Sequence, residues 1–509
     1  MILIIDFGSQ YTQLIAKRIR NLRVYCEIKP YFNYSINDSI KGVILSGSPY
    51  SVNDKQSPKI DLSHIKVPIL GICYGAQLIA FQYGADIHSL NHKEYGSQQL
   101  KDIIKENKLI RENYHKNMTF WMSHSDSITN YSNKIEPLIF STYDILAGFK
   151  IHQQDIYGIQ FHPEVTQTEY GNQILQNFLD ICSLKSTWSV GNMYHEIESN
   201  ISKVIFNQEH LHKKIVMAVS GGIDSTLSAY IINKIAPTRL LCVFVNNGLL
   251  RKDEVKDVMN NYHKIGIPVT CLEHSDLFLS NLKGITNPEE KRKIIGTFFI
   301  NSFLEYCNTQ QLKASNCLLG QGTIYPDIIE SVKIEGVNIK SHHNVGGLPD
   351  KLDFTLLEPI KYLFKDDVRA LAKYCQIPDF FTKRHPFPGP GLAIRIMGDI
   401  TPSKIHILQE ADKIYIDYLK NNELYDNIWQ AGSILLSTKS VGVMGDARTY
   451  QYVLALRAVV SIDGMTAECY QFKMQDLINI SNKIINNVDG INRVVYDVSS
   501  KPPATIEWE

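Results

Sequence analysis

The sequence predicts an α/β protein: two doubly wound, mostly parallel-sheet domains followed by a smaller α+β domain. Three observations lead there. Short β-branched runs alternate with stretches of helical spacing through the first third of the chain, and the same alternation restarts after Leu184-Lys185-Ser186-Thr187-Trp188. At 509 residues the chain exceeds what one core organises. From His385 the texture changes again, because His385-Pro386-Phe387-Pro388-Gly389-Pro390-Gly391 is too rich in proline for regular structure. The expected divisions are therefore 1–186, 187–384 and 385–509.

In chain order, Ile2–Ile5, Gly42–Leu45, Pro68–Cys73 and Tyr157–Phe161 are short, apolar and β-branched, and read as strands. Between the first two, Leu14, Ile15, Ile19 and Leu22 recur at helical spacing. After the break, Ile215–Val219, Leu240–Val245 and Val269–Leu272 are strands, with helices at Asp224–Ala236 and Arg251–Ile265. A further helix begins at Asn287-Pro288-Glu289-Glu290, where a cap residue, a proline at the first position and two acids coincide. Its buried side carries Ile294, Ile295, Phe298, Phe299 and Phe303.

Composition excludes several classes of function. Lysine and arginine number 52 against 52 acidic residues, so no global field favours nucleic acid or a membrane surface, and anionic ligands need local sites. Nine scattered cysteines without a C-x-x-C argue against a zinc site or a disulfide framework, and point to a reduced, cytoplasmic protein. The start, Met1–Asp6, meets a carboxylate too early for a signal peptide, and no apolar run reaches membrane-spanning length.

Two strings carry chemistry. In Gly71-Ile72-Cys73-Tyr74-Gly75-Ala76-Gln77 a cysteine stands where a strand turns into a helix, between glycines that give it room. The helix N-terminus favours thiolate, and the N–H of Tyr74 is placed for an oxyanion, with a second donor expected from Ser46-Gly47-Ser48-Pro49. Gln160-Phe161-His162-Pro163-Glu164 supplies a base and the acid that orients it. The second string, Ser220-Gly221-Gly222-Ile223-Asp224-Ser225-Thr226, follows a strand and opens a helix. Its glycines let backbone N–H groups converge on an anion, and its hydroxyls add donors. Asp224 reads as a helix cap. No G-x-x-x-x-G-K-[ST] is present, so a kinase-type loop is not supported.

On these residues, 1 to about 185 resembles a class I glutamine amidotransferase domain, and Lys93-Glu94-Tyr95-Gly96 and Met122–Asp126 match it too. The resemblance implies a triad of Cys73, His162 and Glu164, with Gly47, Tyr74 and Gln77 lining the glutamine pocket and oxyanion site. Ser48 replaces a glycine common in that family, which implies low basal glutaminase activity. The Ser220–Thr226 loop resembles that of the ATP pyrophosphatases, which implies that Asp224 lies near the magnesium accompanying ATP. Four further strings, Gln321–Ser331, Ser341–Gly347, His385–Leu392 and Lys501–Glu509, are similar in that order to the GMP synthetase family. That resemblance implies XMP, ATP and glutamine as substrates, Mg2+ with ATP, no organic cofactor, no nucleic-acid or membrane partner, and a homodimer built on residues from 385. It also implies that Lys365, Arg292 and His343 lie near phosphates or XMP, and that Lys501, Thr505 and Glu507 close over XMP. The segment Lys291–Lys293 would otherwise read as a solvated helix face.

Related amidotransferring enzymes fit less well. An N-terminal cysteine nucleophile is excluded by Ile2, and CTP synthetase lacks the Ser220–Thr226 loop. A silent nucleotide-binding regulator remains the reading from another class, opposed by the intact Cys73, His162 and Glu164.

Overall fold

The computed structural model describes all residues except 104–106, 112–117, 187–188, 332–353, 445 and 462–465. The chain divides into two compact units, one formed by Met1–Met193 and one by Tyr194–Ser331 with the described residues from 354 onward.

In the first unit, β1 (Ile2–Asp6), β2 (Cys26–Pro30), β3 (Gly42–Leu45), β4 (Ile69–Ile72), β5 (Asp86–Ile103), β6 (Thr119–Thr129), β7 (Ile135–Ser141), β8 (Leu146–Ile151) and β9 (Ile156–Ile159) form one sheet in the order β2-β1-β3-β4-β9-β8-β7-β5-β6. The strands β2, β1, β3, β4 and β9 pair in parallel, as expected. Both faces of β1, β3, β4 and β9 are buried, which is why each is a nearly unbroken apolar run. Beyond β9 the sheet continues antiparallel through β8, β7, β5 and β6. The expectation of a mostly parallel sheet missed this extension. Alternating burial along β6 marks a strand with one face only partly buried, unlike the unbroken apolar runs of the parallel strands.

The second unit holds a fully parallel sheet of β10 (Lys214–Ala218), β11 (Leu240–Asn246), β12 (Val269–Glu273), β13 (Cys317–Gly320) and β14 (Thr355–Leu357), in the order β12-β11-β10-β13-β14. Its reversal of strand order at β10 is a topological switch point, and the Ser220–Thr226 loop leaves the C-terminal end of that strand. Helix Pro288–Thr309 starts as predicted, with the Asn287 side chain accepting from the N–H groups of Glu289 and Glu290. Ile295 is buried in a core that includes Leu392, Leu408, Tyr415 and Leu456, and Ile294, Phe298 and Phe299 pack against it. That core joins the parallel sheet to a mixed sheet of β15 (Gln430–Met444), β16 (Ala447–Val460), β17 (Glu468–Cys469) and β18 (Ile491–Tyr496). β16 pairs antiparallel with β15 and parallel with β18.

Candidate functional sites

At the first site, Cys73 sits between β4 and the helix Tyr74–Gln82 with φ 54° and ψ −109°, outside the usual conformations of an L residue. The turn is kept tight by close approach. A Cβ on Gly71 would stand 2.6 Å from the Gly75 carbonyl, and one on Gly75 would stand 2.4 Å from the Leu45 carbonyl oxygen. The N–H of Cys73 bonds to the carbonyl of Ile159 on β9, and that of Gly75 to the carbonyl of Ser46. Tyr74 opens the helix, so its N–H is one that the helix cannot satisfy itself.

His162 and Glu164 follow β9. His162 Nδ1 and Glu164 Oε1 are 2.7 Å apart, both residues almost fully buried. Burial alone would lower the imidazole's pKa. The Glu164 carboxylate and the neighbouring Cys73 together outweigh that, and His162 is held well above the usual histidine range. The main chain of His162 is pinned from both directions: its N–H donates to the Trp121 carbonyl, and its carbonyl accepts from Thr168 Oγ1 at 2.6 Å. The ring of Tyr11 meets the imidazole edge-on at 4.7 Å between centroids.

Gly47 lies beside this group, since a Cβ there would stand 3.6 Å from His162 Cε1. Ser48 does not adopt a positive φ. Gln77 is buried and donates from Nε2 to the Asp126 carbonyl at 2.8 Å, tying the elbow helix to β6. On β5 and β6, Glu94 and His124 form a second buried pair at 3.1 Å, a contact that the matching strings alone did not state. The side chain of Lys93 lies outside the described residues.

At the second site, Gly221 has φ +71° and Gly222 is the N-cap of the helix Ile223–Ile235. The hydroxyls of Ser220 and Ser225 are 3.3 Å apart, and Gly222 N–H donates to Ser220 Oγ at 3.3 Å. Ile223 is buried beneath. Two expectations are corrected here. Asp224 is not the helix cap, because Gly222 holds that position and no side chain caps it. Its carboxylate instead meets Lys365 Nζ at 2.5 Å, leaving Oδ1 buried without a partner among the described residues. Thr226 is fully buried, its hydroxyl donating to the Gly222 carbonyl at 2.9 Å, so it does not face a ligand.

The other predicted residues divide. Arg292 pairs with Glu289 one helical turn away. Lys291 contradicts the solvated-face reading. It is fully buried, donating to the carbonyls of Ala393 and Ile396 and pairing with Glu509. An ammonium between two carbonyls and a carboxylate is compensated, so burial is tolerated. His343, with Ser341–Gly347, lies outside the described residues.

Glu507 receives a two-point contact from Arg395 at 3.0 and 2.7 Å, and a third bond from Gln430 Nε2 at 2.7 Å. Burial alone would raise the carboxyl, but the Arg395 guanidinium, with Arg251 and Gln430 beside it, outweighs that and holds Glu507 below the usual glutamate range. The hydroxyl of Thr505 donates to the Glu507 carbonyl, and Lys501 exchanges main-chain bonds with Ala467. Arg251, Arg384 and Arg395 all approach the Phe387 ring at 5.0 to 5.9 Å. Arg395 was legible in principle, as a lone charge within the apolar run Leu392-Ala393-Ile394-Arg395-Ile396.

Three families match the chain in succession: class-I glutamine amidotransferase over residues 3–182, NAD synthase over 193–293, and GMP synthase C terminal domain over 417–508. Among curated relatives, the GMP synthase [glutamine-hydrolyzing] of Cytophaga hutchinsonii is 49% identical over 515 residues, covering 100% of this chain and 99% of the relative. That of Bacteroides fragilis is 48% identical over 512 residues, with the same coverage.

Proposed function

The chain belongs to the glutamine-hydrolysing GMP synthase family, and from that premise we propose how its two sites share the reaction. It is a carbon–nitrogen ligase that converts XMP to GMP with glutamine as nitrogen donor, and its chemistry depends on ATP.

In this reading Cys73 attacks the glutamine side-chain carbonyl. His162 takes the thiol proton and returns it to the departing nitrogen, so that ammonia leaves and a thioester forms; water then releases glutamate. Glu164 orients the imidazole, while the Tyr74 N–H and the Gly47 loop stabilise the oxyanion. Gln77 positions the pocket through β6. The observation that carries this assignment is the buried 2.7 Å His162–Glu164 contact together with the coupling of Cys73 to the imidazole.

At the other site, O2 of XMP attacks the α-phosphorus of ATP and pyrophosphate leaves. Ammonia then attacks C2 and AMP leaves. Ser220, Gly221, Gly222 and Ser225 hold the pyrophosphate, with Ile223 and Thr226 supporting them from below and Lys365 and Arg292 supplying positive charge. His343, Lys501, Thr505 and Glu507 belong to the phosphate and XMP side. Asp224 suits a hard cation, because one carboxylate oxygen is buried without a partner among the described residues. Bound Mg2+ would neutralise polyphosphate charge there.

We assign the amidotransferase, adenylating and dimerisation parts to 1–186, 187–384 and 385–509. A homodimer is supported by Val441, Val443 and Tyr450, exposed at 60, 72 and 66% on the β15–β16 ribbon. The nine unpaired cysteines support a cytoplasmic setting. Glutamine labelled with 15N in its side-chain amide tests the scheme, and the label is expected in the exocyclic amino group of GMP. GMP formed without label from that donor would overturn it.

A further inference from the structure

One of the elements packed against the nucleotide loop is a helix that meets it through a single stripe of residues. Helix Glu254–Lys264 buries Glu254, Val258 and Tyr262, which recur every four residues and so share a face. Each meets the loop differently. Glu254 pairs with Arg384, whose Nη1 donates to the Gly221 carbonyl at 3.1 Å. Val258 lies against Gly221, since a Cβ there would stand 2.8 Å from Val258 Cγ2, which together with φ +71° requires glycine. Tyr262 brings its hydroxyl to 2.8 Å from Thr226 Oγ1, and its ring packs on Phe381 at 5.1 Å.

Proton bookkeeping assigns the direction of that last bond. Thr226 has one hydroxyl proton, and it goes to the Gly222 carbonyl at 2.9 Å. Toward Tyr262 it therefore accepts, and Tyr262 donates. The result is a chain from Tyr262 O–H to Thr226 O–H to the Gly222 carbonyl, entirely beneath the loop. Fixing that carbonyl fixes the peptide joining Gly222 to Ile223, whose N–H opens the helix.

We infer that Tyr262, acting through Thr226, is a positioning residue for the ATP-binding loop, holding its N–H groups in the geometry that receives pyrophosphate before nucleotide arrives. The inference rests on the proposed role of residues 220–226. It requires no contact between Tyr262 and any substrate.

The experiment uses the whole enzyme with ammonium as nitrogen donor, so that the Cys73 site is bypassed. Tyr262→Phe and Thr226→Val are each expected to raise KM for ATP about three- to tenfold, the usual worth of one buried hydroxyl bond, with KM for ammonia unchanged. The double variant should be no worse than the poorer single one, because both break one chain. Thr226→Ser keeps the hydroxyl and should restore KM for ATP to within about twofold. An unchanged KM in folded Tyr262→Phe, single effects that multiply, or Thr226→Ser as impaired as Thr226→Val would each overturn the inference. Should Tyr262→Phe fail to fold, the contrast between Thr226→Val and Thr226→Ser still decides it. Failure of the loop assignment itself is separable, since Asp224→Asn would then leave KM for ATP unaltered.

Discussion

At Cys73 the buried ionisable groups face one another directly: His162 and Glu164 stand 2.7 Å apart, with the thiol bearing on the imidazole. In the other unit, Lys365, Arg384, Arg395 and Lys291 are each held by a carboxylate, respectively Asp224, Glu254, Glu507 and Glu509. The difference follows from the substrates each site is proposed to take. A glutamine amide is neutral, so its site needs a nucleophile and a base and little positive charge. A polyphosphate and a nucleotide are anions, and cations gathered for them would repel one another without internal partners.

The largest effect that could break this comparison lies at the thiol. Cys73→Ala should lower glutamine-dependent GMP synthesis at least about a thousandfold, because no other group on the elbow is a nucleophile. Synthesis from ammonium salts should survive. Loss of both activities would show that the two units do not divide the work as proposed.

A smaller effect sharpens the account of the held cations. Lys365→Met removes the charge paired with Asp224 and should reduce kcat/KM for ATP about ten- to a hundredfold with either nitrogen donor. Glutamine hydrolysis measured without nucleotides should not change. Equal losses in both assays would mean that Lys365 supports the fold rather than the phosphates.

The smallest effect concerns stability alone. His385 stacks on Tyr425 at 3.7 Å, accepts from the Ala431 N–H at Nδ1, and meets the Tyr425 carbonyl through Nε2, so only a neutral ring fits. Burial, the main cause, lowers its pKa from 6.5 to about 4. A base that resists protonation in the folded state stabilises it above pH 6.5, and this contribution fades as pH falls toward about 4. The shift corresponds to about 3 kcal/mol. Urea unfolding between pH 7 and 4 should show that loss in the native chain and a flatter profile in His385→Asn; identical slopes would refute it.

Much of the first site was legible because it is local. A cysteine between glycines at a strand end, and a histidine two residues from a glutamate, state their geometry within seven residues or fewer. The Asn287 cap was equally readable. By contrast, the antiparallel extension through β8, β7, β5 and β6 was missed, because it departs from the short, unbroken apolar runs of the parallel strands: β6 alternates and β7 mixes polar with apolar residues. Asp224 was misread as a cap because its partner, Lys365, lies 141 residues away.

By itself, the sequence determined the family, and it pointed to the elbow at Cys73, the His162–Glu164 pair and the glycine loop at Ser220–Thr226, since each of these local features depends on backbone conformations that neighbouring residues dictate. Tertiary structure alone decided that Lys291 is buried against Glu509, 218 residues distant, and that Tyr262 lies under the loop. Whether a polar group is buried, and with what partner, depends on which distant segments exclude water from it. No local pattern carries that information.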